Sequence, residues 1–184
     1  MSKFSPFCWC FLFLFAFSSV QAGISRVAVT VKSVDLSPKA APKGKPKEEK
    51  PEVEKRQLEI KIRNISQLSL DGLLVKYYFL GHAAGNSTIK ILSEGEKSQS
   101  LAPGAEAIVT SDTATATFTP AHTPKSKGKA RPQRVKADGD KFSGWAVRVL
   151  SDGVLQTENY STPSVKAVLP PVEQQAAPVT TPVR

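Results

Sequence analysis

The chain is poor in the residues on which many small exported domains and metalloproteins depend. It has only two cysteines, Cys8 and Cys10, and both lie in the apolar segment at the N-terminus. If that segment is removed, disulfide scaffolds, cysteine-bound zinc, iron–sulfur clusters and thiol catalysis are excluded for the remaining chain. The two histidines, His82 and His122, lie far apart in the sequence. We therefore expect no cofactor and no metal ion.

Long apolar runs are also scarce, and the most pronounced one has the features of an export signal. Lys3 precedes an apolar run over residues 7–17, and Val20 and Ala22 occupy the −3 and −1 positions of a cleavage site. An uncleaved anchor is the alternative, but this run is short for a hydrocarbon core of about 30 Å. The sequence predicts a signal peptide over residues 1–22. The mature protein is then exported to the periplasm, the cell surface or the medium, without a transmembrane span.

Acidic residues are missing from one long stretch of the chain. Residues 120–136 contain six basic residues and no acidic one, and residues 36–56 contain seven basic and four acidic residues. Both stretches are rich in proline and lysine, so they bury too little apolar surface to offset the entropy of ordering. We predict mobile insertions at 36–56 and 120–141 of a domain that spans residues 23–169. A disordered proline-rich tail follows at 170–184.

Between these stretches, apolar and polar residues alternate as they do in strands that bury one face. The pattern predicts strands at residues 24–35, 58–63, 73–80, 87–92, 105–111, 114–119, 145–150 and 154–160. No window carries a helical period. The residues predicted to face the core are Ile60, Val75, Tyr77, Trp145 and Val147. The sequence therefore predicts an all-β fold, an antiparallel Ig-like two-layer β-sandwich of about seven to nine strands with long disordered basic loops.

The strand order resembles that of immunoglobulin-like and fibronectin-type-III-like sandwiches of exported bacterial proteins. The likeness rests on the Trp145 strand, which is followed by a tight hairpin, and on the Leu-Ala-Pro-Gly sequence of residues 101–104 before an alternating strand. It covers roughly residues 23–169 and implies an architecture, not a function. The chain departs from antibody-type domains because it has no cysteine pair and because its tryptophan lies on a late strand.

Sequence motifs for catalysis and metal binding are missing. The chain has no glycine-rich phosphate loop, nucleophile elbow, His-x-x-x-His pair or calcium-loop repeat. Asp138 and Asp140 offer two carboxylates to a cation, but calcium takes about six to eight oxygens, so a solvated turn is favoured. His82 has no second ligand nearby in the sequence, and a loop histidine is favoured over a metal ligand or a base. We expect no catalytic residue; an envelope-associated hydrolase or accessory enzyme is the alternative.

Three Asn-x-Ser/Thr sequons occur, at Asn64, Asn86 and Asn159. They are glycan acceptors in a eukaryotic secretory pathway and chance occurrences in a bacterial envelope. The lack of cysteine in the predicted mature chain favours a bacterial host, because eukaryotic secreted sandwiches often carry disulfides.

The basic stretch is the feature that indicates a kind of partner. Its six cations form a candidate polyanion-binding site: Lys125, Lys127, Lys129, Arg131, Arg134 and Lys136. Such a cluster attracts lipopolysaccharide and sulfated or sialylated glycans. Nucleic acid is disfavoured because the stretch has no aromatic residue to stack on bases, and a solvated loop is the alternative. The sequence thus predicts a non-enzymatic exported envelope module that binds a protein partner or an anionic glycan.

We expect the precursor to be cleaved between Ala22 and Gly23. N-terminal sequencing or intact mass of protein exported by a bacterial host should identify Gly23 as the first residue. Ala22→Arg removes the small residue at −1 and should block cleavage, whereas Gln21→Asn at −2 should not. A mature protein that still contains residues 11–17 would contradict the prediction.

Overall fold

Most of the described chain is β-structure. The structure, a computed structural model, describes residues 25–38, 51–123 and 133–172; the predicted export signal, parts of both insertions and most of the tail lie outside these residues. The strands are β1 (Val27–Asp35), β2 (Glu52–Asn64), β3 (Leu70–Ala83), β4 (Lys90–Leu101), β5 (Glu106–Thr110), β6 (Ala114–Thr119), β7 (Asp138–Ser151) and β8 (Val154–Tyr160). One helix, α1 (Pro163–Lys166), follows β8. Within the described ranges, no helix is both long and apolar enough to cross a membrane.

The strands pair antiparallel and form two layers. In the first layer, β2 pairs with β1 along one edge and with β5 and β6 along the other. In the second layer, the strand order is β4-β3-β7-β8. Strand β6 joins the layers, because Phe118 and Thr119 at its end pair with the start of β7. The predicted all-β antiparallel fold is confirmed. Each of the eight predicted strands overlaps an observed one, but the predicted strand at 87–92 covers only the first three residues of β4, which runs to Leu101.

The core lies between the two layers and follows from the alternation in the sequence. Its fully buried members are Leu58, Ile60, Ile62, Leu73, Val75, Tyr77, Phe79, Val147 and Val149. Removing one such aliphatic or aromatic side chain from water contributes about 1.5–3 kcal/mol. Four of the five predicted core residues belong to this set, and the fifth does not.

Trp145 faces the core, as predicted, but it is less deeply buried than the other four residues. Its side chain packs against the core and stays half-buried, whereas its cross-strand partner Phe79 is 1% exposed. Alternation along a strand fixes the direction in which a side chain points, but not how far the opposite layer extends over it. Phe79 is therefore the more deeply buried ring of this cross-strand pair.

The two insertions are shorter than the sequence predicts. Residues 52–56, inside the predicted 36–56 insertion, begin β2 and pair with β6. Residues 138–141, inside the predicted 120–141 insertion, begin β7 and pair with β6 and β3. Backbone hydrogen bonds to neighbouring strands hold these largely charged residues in place. The prediction was based on side-chain composition, which does not indicate backbone pairing.

After β8 the chain folds back over the outer face of the second layer, and we call residues 161–172 the strap. Helix α1 lies in the strap and buries Val165 against Leu80 and Ala146. The helix has only four residues, too few to leave a period in the sequence, and Pro163 starts it with a preset backbone angle. The outer face of this layer is thus partly covered.

Gly144 on β7 allows the strap to approach the sheet. A β-carbon at this position would collide with the Ser161 hydroxyl and press on Val165. Trp145 and Ser161 meet beside it, since the Trp145 N–H donates to Ser161 Oγ at 3.0 Å and the Ser161 N–H donates to the Trp145 carbonyl at 2.9 Å. The start of the strap is therefore fixed to β7 by two hydrogen bonds.

The strap also closes over a buried charge. Arg148 is 7% exposed, and its Nε donates to Glu158 Oε1 at 2.7 Å. Its Nη1 donates to the Pro170 carbonyl oxygen at 2.5 Å, and the guanidinium lies 5.9 Å from the centroid of the Tyr78 ring. A buried cation is tolerated only when it is paired and hydrogen-bonded. Pro170, the first residue of the predicted tail, thereby belongs to the folded domain.

At one end of the sandwich, a single buried amide ties two connections together. Asn64 at the end of β2 is 0% exposed, and its Nδ2 donates to the carbonyl oxygens of Leu68, Leu101 and Ala102 at 2.7, 3.2 and 3.1 Å. Its Oδ1 accepts from the Ser66 N–H at 2.9 Å. The β2–β3 and β4–β5 connections are therefore both fixed here, and we call this the Asn64 end.

We expect Phe79→Ala to destabilise the protein more than Trp145→Ala. Truncation of a buried phenylalanine costs about 3–5 kcal/mol, and the half-buried Trp145 loses less packing. Guanidinium denaturation followed by far-ultraviolet circular dichroism measures both, because that signal does not depend on the tryptophan. An equal or larger loss for Trp145→Ala would contradict the observed division of burial between the two rings.

Candidate functional site

The two basic stretches emerge from the same end of the sandwich, opposite the Asn64 end. Strand β1 ends and β2 begins there, with Asp35 paired to Arg56. Strand β6 ends and β7 begins there as well, with Thr119 paired to Asp138. The two pairs of strand ends are neighbours, since Glu52 of β2 pairs with Phe118 of β6. We call this the basic end.

Two connections supply the charge of the basic end. Residues 36–51, between β1 and β2, carry five basic and two acidic residues, and residues 120–137, between β6 and β7, carry six basic and none acidic. His122 and Val135 form a backbone bridge that extends the β6–β7 pairing into the second connection. Of the six predicted site residues, Arg134 and Lys136 are described and exposed, and Lys125, Lys127, Lys129 and Arg131 lie outside the described residues.

The aromatic rings at the basic end contact cations of the protein itself. Lys141 Nζ lies 3.8 Å from the centroid of the Phe118 ring. The Arg56 guanidinium lies 5.6 Å from the centroid of the Phe142 ring. Such cation–π contacts contribute about 0.5–1 kcal/mol each at exposed sites. These two rings therefore stabilise the strand ends, and their faces are already engaged by a cation.

The strands themselves carry little net charge, and five of their lysines are paired with acidic residues on other strands or on a connection. Five such ion pairs have N–O distances between 2.7 and 3.7 Å: Lys32 with Glu59, Lys61 with Glu106, Lys76 with Glu96, Lys90 with Asp140, and Lys97 with Asp112. Exposed pairs of this kind add little to stability, about 0–1 kcal/mol each. Their electrostatic consequence is that positive charge is concentrated at the basic end.

The Asp-Gly-Asp sequence at residues 138–140 is the start of β7 and not the predicted turn. Gly139 has φ of 94°, and a β-carbon there would collide with the Thr117 carbonyl oxygen, so the close approach of β6 requires glycine. Asp140 pairs with Lys90 at 2.8 Å. Within the described ranges, no three His, Cys, Asp or Glu side chains are grouped in a way that could hold a metal ion.

The structure brings together a serine and a histidine that the sequence does not connect. His82 Nδ1 lies 2.6 Å from Ser143 Oγ, because β3 and β7 are neighbours. In a hydrolase the histidine is in turn oriented by a third group, usually a carboxylate. Among the described residues, no carboxylate is hydrogen-bonded to His82, and the nearby Asp140 is paired with Lys90. The pair thus lacks the third member of a triad.

A second polar cluster links the two layers away from the basic end. The Tyr77 hydroxyl of β3 donates to Asp112 Oδ2 at 2.7 Å, and Lys97 Nζ of β4 donates to Asp112 Oδ1 at 2.8 Å. Hydrogen bonds from Lys97 and then Tyr77 lower the pKa of the Asp112 carboxyl below 3.8. Burial raises the pKa of Tyr77 above 10.0. Gly95 leaves room for the hydroxyl, since a β-carbon there would collide with it.

The three sequons differ in accessibility. Asn64 is fully buried and its amide hydrogens are engaged, so it cannot carry a glycan in the folded protein. Asn159 on β8 is half-buried and lies 3.5 Å from the Val29 carbonyl oxygen of β1. Asn86 lies exposed in the β3–β4 turn. The structure therefore leaves only Asn86 fully accessible to a transferase.

Comparison with known proteins finds no matching family model and no matching curated protein. Among solved structures, the chain is similar to structural-genomics target SoR45, with 11% identity over 75% of this chain and 88% of that chain and a TM-score of 0.36. It is also similar to a crystal structure from Akkermansia muciniphila, with 16% identity over 74% of this chain and 70% of that chain and a TM-score of 0.34. At these scores the likenesses carry no argument about function.

We expect Asp112→Asn to lower the denaturation midpoint at pH 7 and to matter less in acid. A carboxyl whose pKa is lowered by folding stabilises the protein above its unfolded pKa, and this contribution disappears as pH falls through the lower folded value. The difference from the parent should therefore be largest at neutral pH and narrow below pH 3.8. Asp71→Asn, at an exposed residue of β3, is the control and should leave the pH profile unchanged. A difference that is independent of pH would contradict the ionic role of Asp112.

Proposed function

We propose that the chain is an exported, non-enzymatic module of the cell envelope that binds an anionic surface polymer at its basic end. The observation that carries the proposal is the convergence of both basic connections on one end of the sandwich. The two connections carry net charges of +3 and +6. Their sum equals the net charge of the whole chain, which is +9. The strand ends that carry the two connections are neighbours, so we expect one polymer chain to contact both connections.

The neutrality of the strands supports this choice of surface. The lysines in the five cross-strand pairs face acidic partners, whereas the connection 120–137 contains no acidic residue to compete with a ligand. Clustered charge of one sign steers an oppositely charged polymer and raises its local concentration. Lipopolysaccharide and sulfated or sialylated glycans have the required chemistry.

The strand pairing also supports the resemblance to immunoglobulin-like and fibronectin-type-III-like domains. In such sandwiches the second and fifth strands are neighbours in one layer, and the third and the last two strands are neighbours in the other. The pairs β2–β5, β3–β7 and β7–β8 agree with this order. Domains of this architecture present their connections at the two ends, which is where the basic charge of this chain lies.

An envelope-associated hydrolase is the second candidate, and the contact between His82 and Ser143 is the observation that favours it. A proton transfer from Ser143 to His82 fits their distance of 2.6 Å. Among the described residues, no carboxylate is hydrogen-bonded to His82, so the pair lacks the third group that orients a catalytic histidine. The binding module is therefore the better-supported proposal.

Binding to heparin should depend on both connections and on salt. Lys127, Lys129, Arg131 and Arg134 changed together to Ser should lower the salt concentration at which the mature protein elutes from a heparin column. Lys39, Lys43, Lys45 and Lys47 changed to Ser should lower it as well, and the combined variant should lower it most. Exposed charges are screened within about 8 Å at physiological salt, so retention should weaken steeply as salt rises.

The matched control removes four cations from the strands: Lys32, Lys61, Arg63 and Lys76 changed to Ser. It should elute close to the parent, although its net charge equals that of either loop variant. If the control and the loop variants elute alike, binding follows net charge and not the basic end. If the parent itself is not retained beyond the combined variant, the connections only aid solubility and the proposal fails.

A further inference from the structure

A groove on the outer face of the second layer combines a largely apolar lining with two cations. It has a volume of about 560 Å³ and lies between β3, β7, the β7–β8 turn and the end of the strap. Most of its lining is aliphatic or aromatic: Leu74, Tyr78, Leu150, Pro170, Pro171 and Val172. Lys76 and Arg148 also line it, and no acidic residue of the described ranges does. Sites for small molecules have volumes of about 300–1,000 Å³ and linings of this kind.

The two cations of the groove are neighbours across the sheet, and each has its carboxylate on the far side. Lys76 of β3 pairs in register with Arg148 of β7. Lys76 is paired with Glu96 of β4 at 3.7 Å, and Arg148 is paired with Glu158 of β8 at 2.7 Å. Like charges directly opposite on neighbouring strands are unfavourable. The middle of this face is therefore positive, and its carboxylates lie at the two sides, outside the groove lining.

The guanidinium of Arg148 keeps one nitrogen without a partner. Arg148 is 7% exposed, its Nε donates to Glu158, and its Nη1 donates to the Pro170 carbonyl oxygen. Its Nη2 has no hydrogen-bond partner within the described ranges, and it is not among the enclosed polar atoms that lack one. It therefore retains accessible surface, and this surface faces the groove that Arg148 lines. Nη2 carries two N–H donors.

The hydroxyl of Tyr78 is in the same situation. Tyr78 is 5% exposed, and the centroid of its ring lies 5.9 Å from the guanidinium of Arg148. Its hydroxyl makes no hydrogen bond within the described part of the chain, and it too is not fully enclosed. Tyr78 lines the same groove. Two side chains that are more than nine-tenths buried thus offer unused donors to one groove.

We propose that this groove binds a small amphipathic carboxylate. The carboxylate accepts hydrogen bonds from Arg148 Nη2 and the Tyr78 hydroxyl, because a guanidinium is the strongest side-chain donor to a carboxylate. The apolar part of the ligand lies along Leu74 and Leu150, which are cross-strand partners two residues from Lys76 and Arg148 on the same face. Lys76, already paired with Glu96, adds only its positive field.

Titrations followed by ¹⁵N nuclear magnetic resonance test the proposal on the protein without residues 1–22. The probes are decanoate and N-acetyl-leucyl-leucine, which share this chemistry and stand for a fatty acid and for the C-terminus of an apolar peptide. High salt screens the exposed cations of the basic end. Saturable shifts are expected for the backbone amides of Leu74, Leu150 and Gly153 and for the Arg148 Nε–H. Decanamide, which is uncharged, should bind about tenfold or more weakly than decanoate.

The outcomes distinguish the two sources of the carboxylate. Binding of decanoate alone assigns the groove to a fatty acid, and binding of the peptide alone assigns it to a peptide C-terminus. Absence of saturable shifts at the groove with both probes overturns the proposal, and so does equal affinity for decanoate and decanamide. Heparin retention is a separate result, because the groove and the two basic connections share no residue.

Tyr78→Phe tests the contact with the carboxylate while it keeps the ring. It should lower the affinity for decanoate about tenfold, since a hydrogen bond to a charged group is lost, and leave the affinity for decanamide nearly unchanged. Tyr160→Phe is the matched control, because Tyr160 on β8 is half-buried and does not line the groove. Removal of Arg148 would leave Glu158 buried without its partner, so Tyr78 is the better position. Equal decanoate affinity in the two variants would contradict the proposed site.

Discussion

Burial of both faces of β3 and β7 is the constraint on which the rest of the structure depends. Val75, Tyr77 and Phe79 of β3 face the first layer, while Tyr78 and Leu80 face the strap. A sheet with one face in water would need polar residues at these outward positions. Their apolar character means that the chain after β8 must return across the sheet, and the position of α1 follows from that requirement.

Covering the outer face of the second layer also buries the positive charge of Arg148. It lies among apolar residues of the outer face, so its charge needs close partners once the strap covers it. Glu158 on the neighbouring strand supplies the opposite charge, and the Pro170 carbonyl supplies a second acceptor. Loss of either contact would leave a buried cation with unmet hydrogen-bonding capacity, so the strap and the sheet stabilise one another.

The two ends of the sandwich have different chemistry. At the Asn64 end, a buried amide fixes the connections by hydrogen bonds, and the exposed residues Ile65 and Leu68 are apolar. At the basic end, backbone pairing among β1, β2, β6 and β7 fixes the strand ends, and the connections carry the excess positive charge. The excess positive charge of the chain is therefore located at one end, while the strands between the two ends are close to neutral.

Local sequence determined the strands and most of the core. Alternation located seven strands and the start of β4, and it placed Ile60, Val75, Tyr77 and Val147 inward, because a side chain's face depends only on its position along the strand. It placed Trp145 on the correct face but not at the correct depth, because the depth depends on the extent of the opposite layer. It also failed for residues 52–56, which are held by neighbours distant in sequence and not by their own apolar character.

The sequence by itself determined the amount and the sign of the charge, the lack of cysteine after residue 10 and the all-β class, since these depend on composition and short-range periodicity. Only the tertiary structure decided that the two basic stretches share one end, that Ser143 lies beside His82, and that the outer face of the second layer is covered by the strap. Each of these depends on which strands are neighbours. Strand pairing joins residues that are far apart in the chain. The alternation within one strand therefore does not indicate which other strand it pairs with.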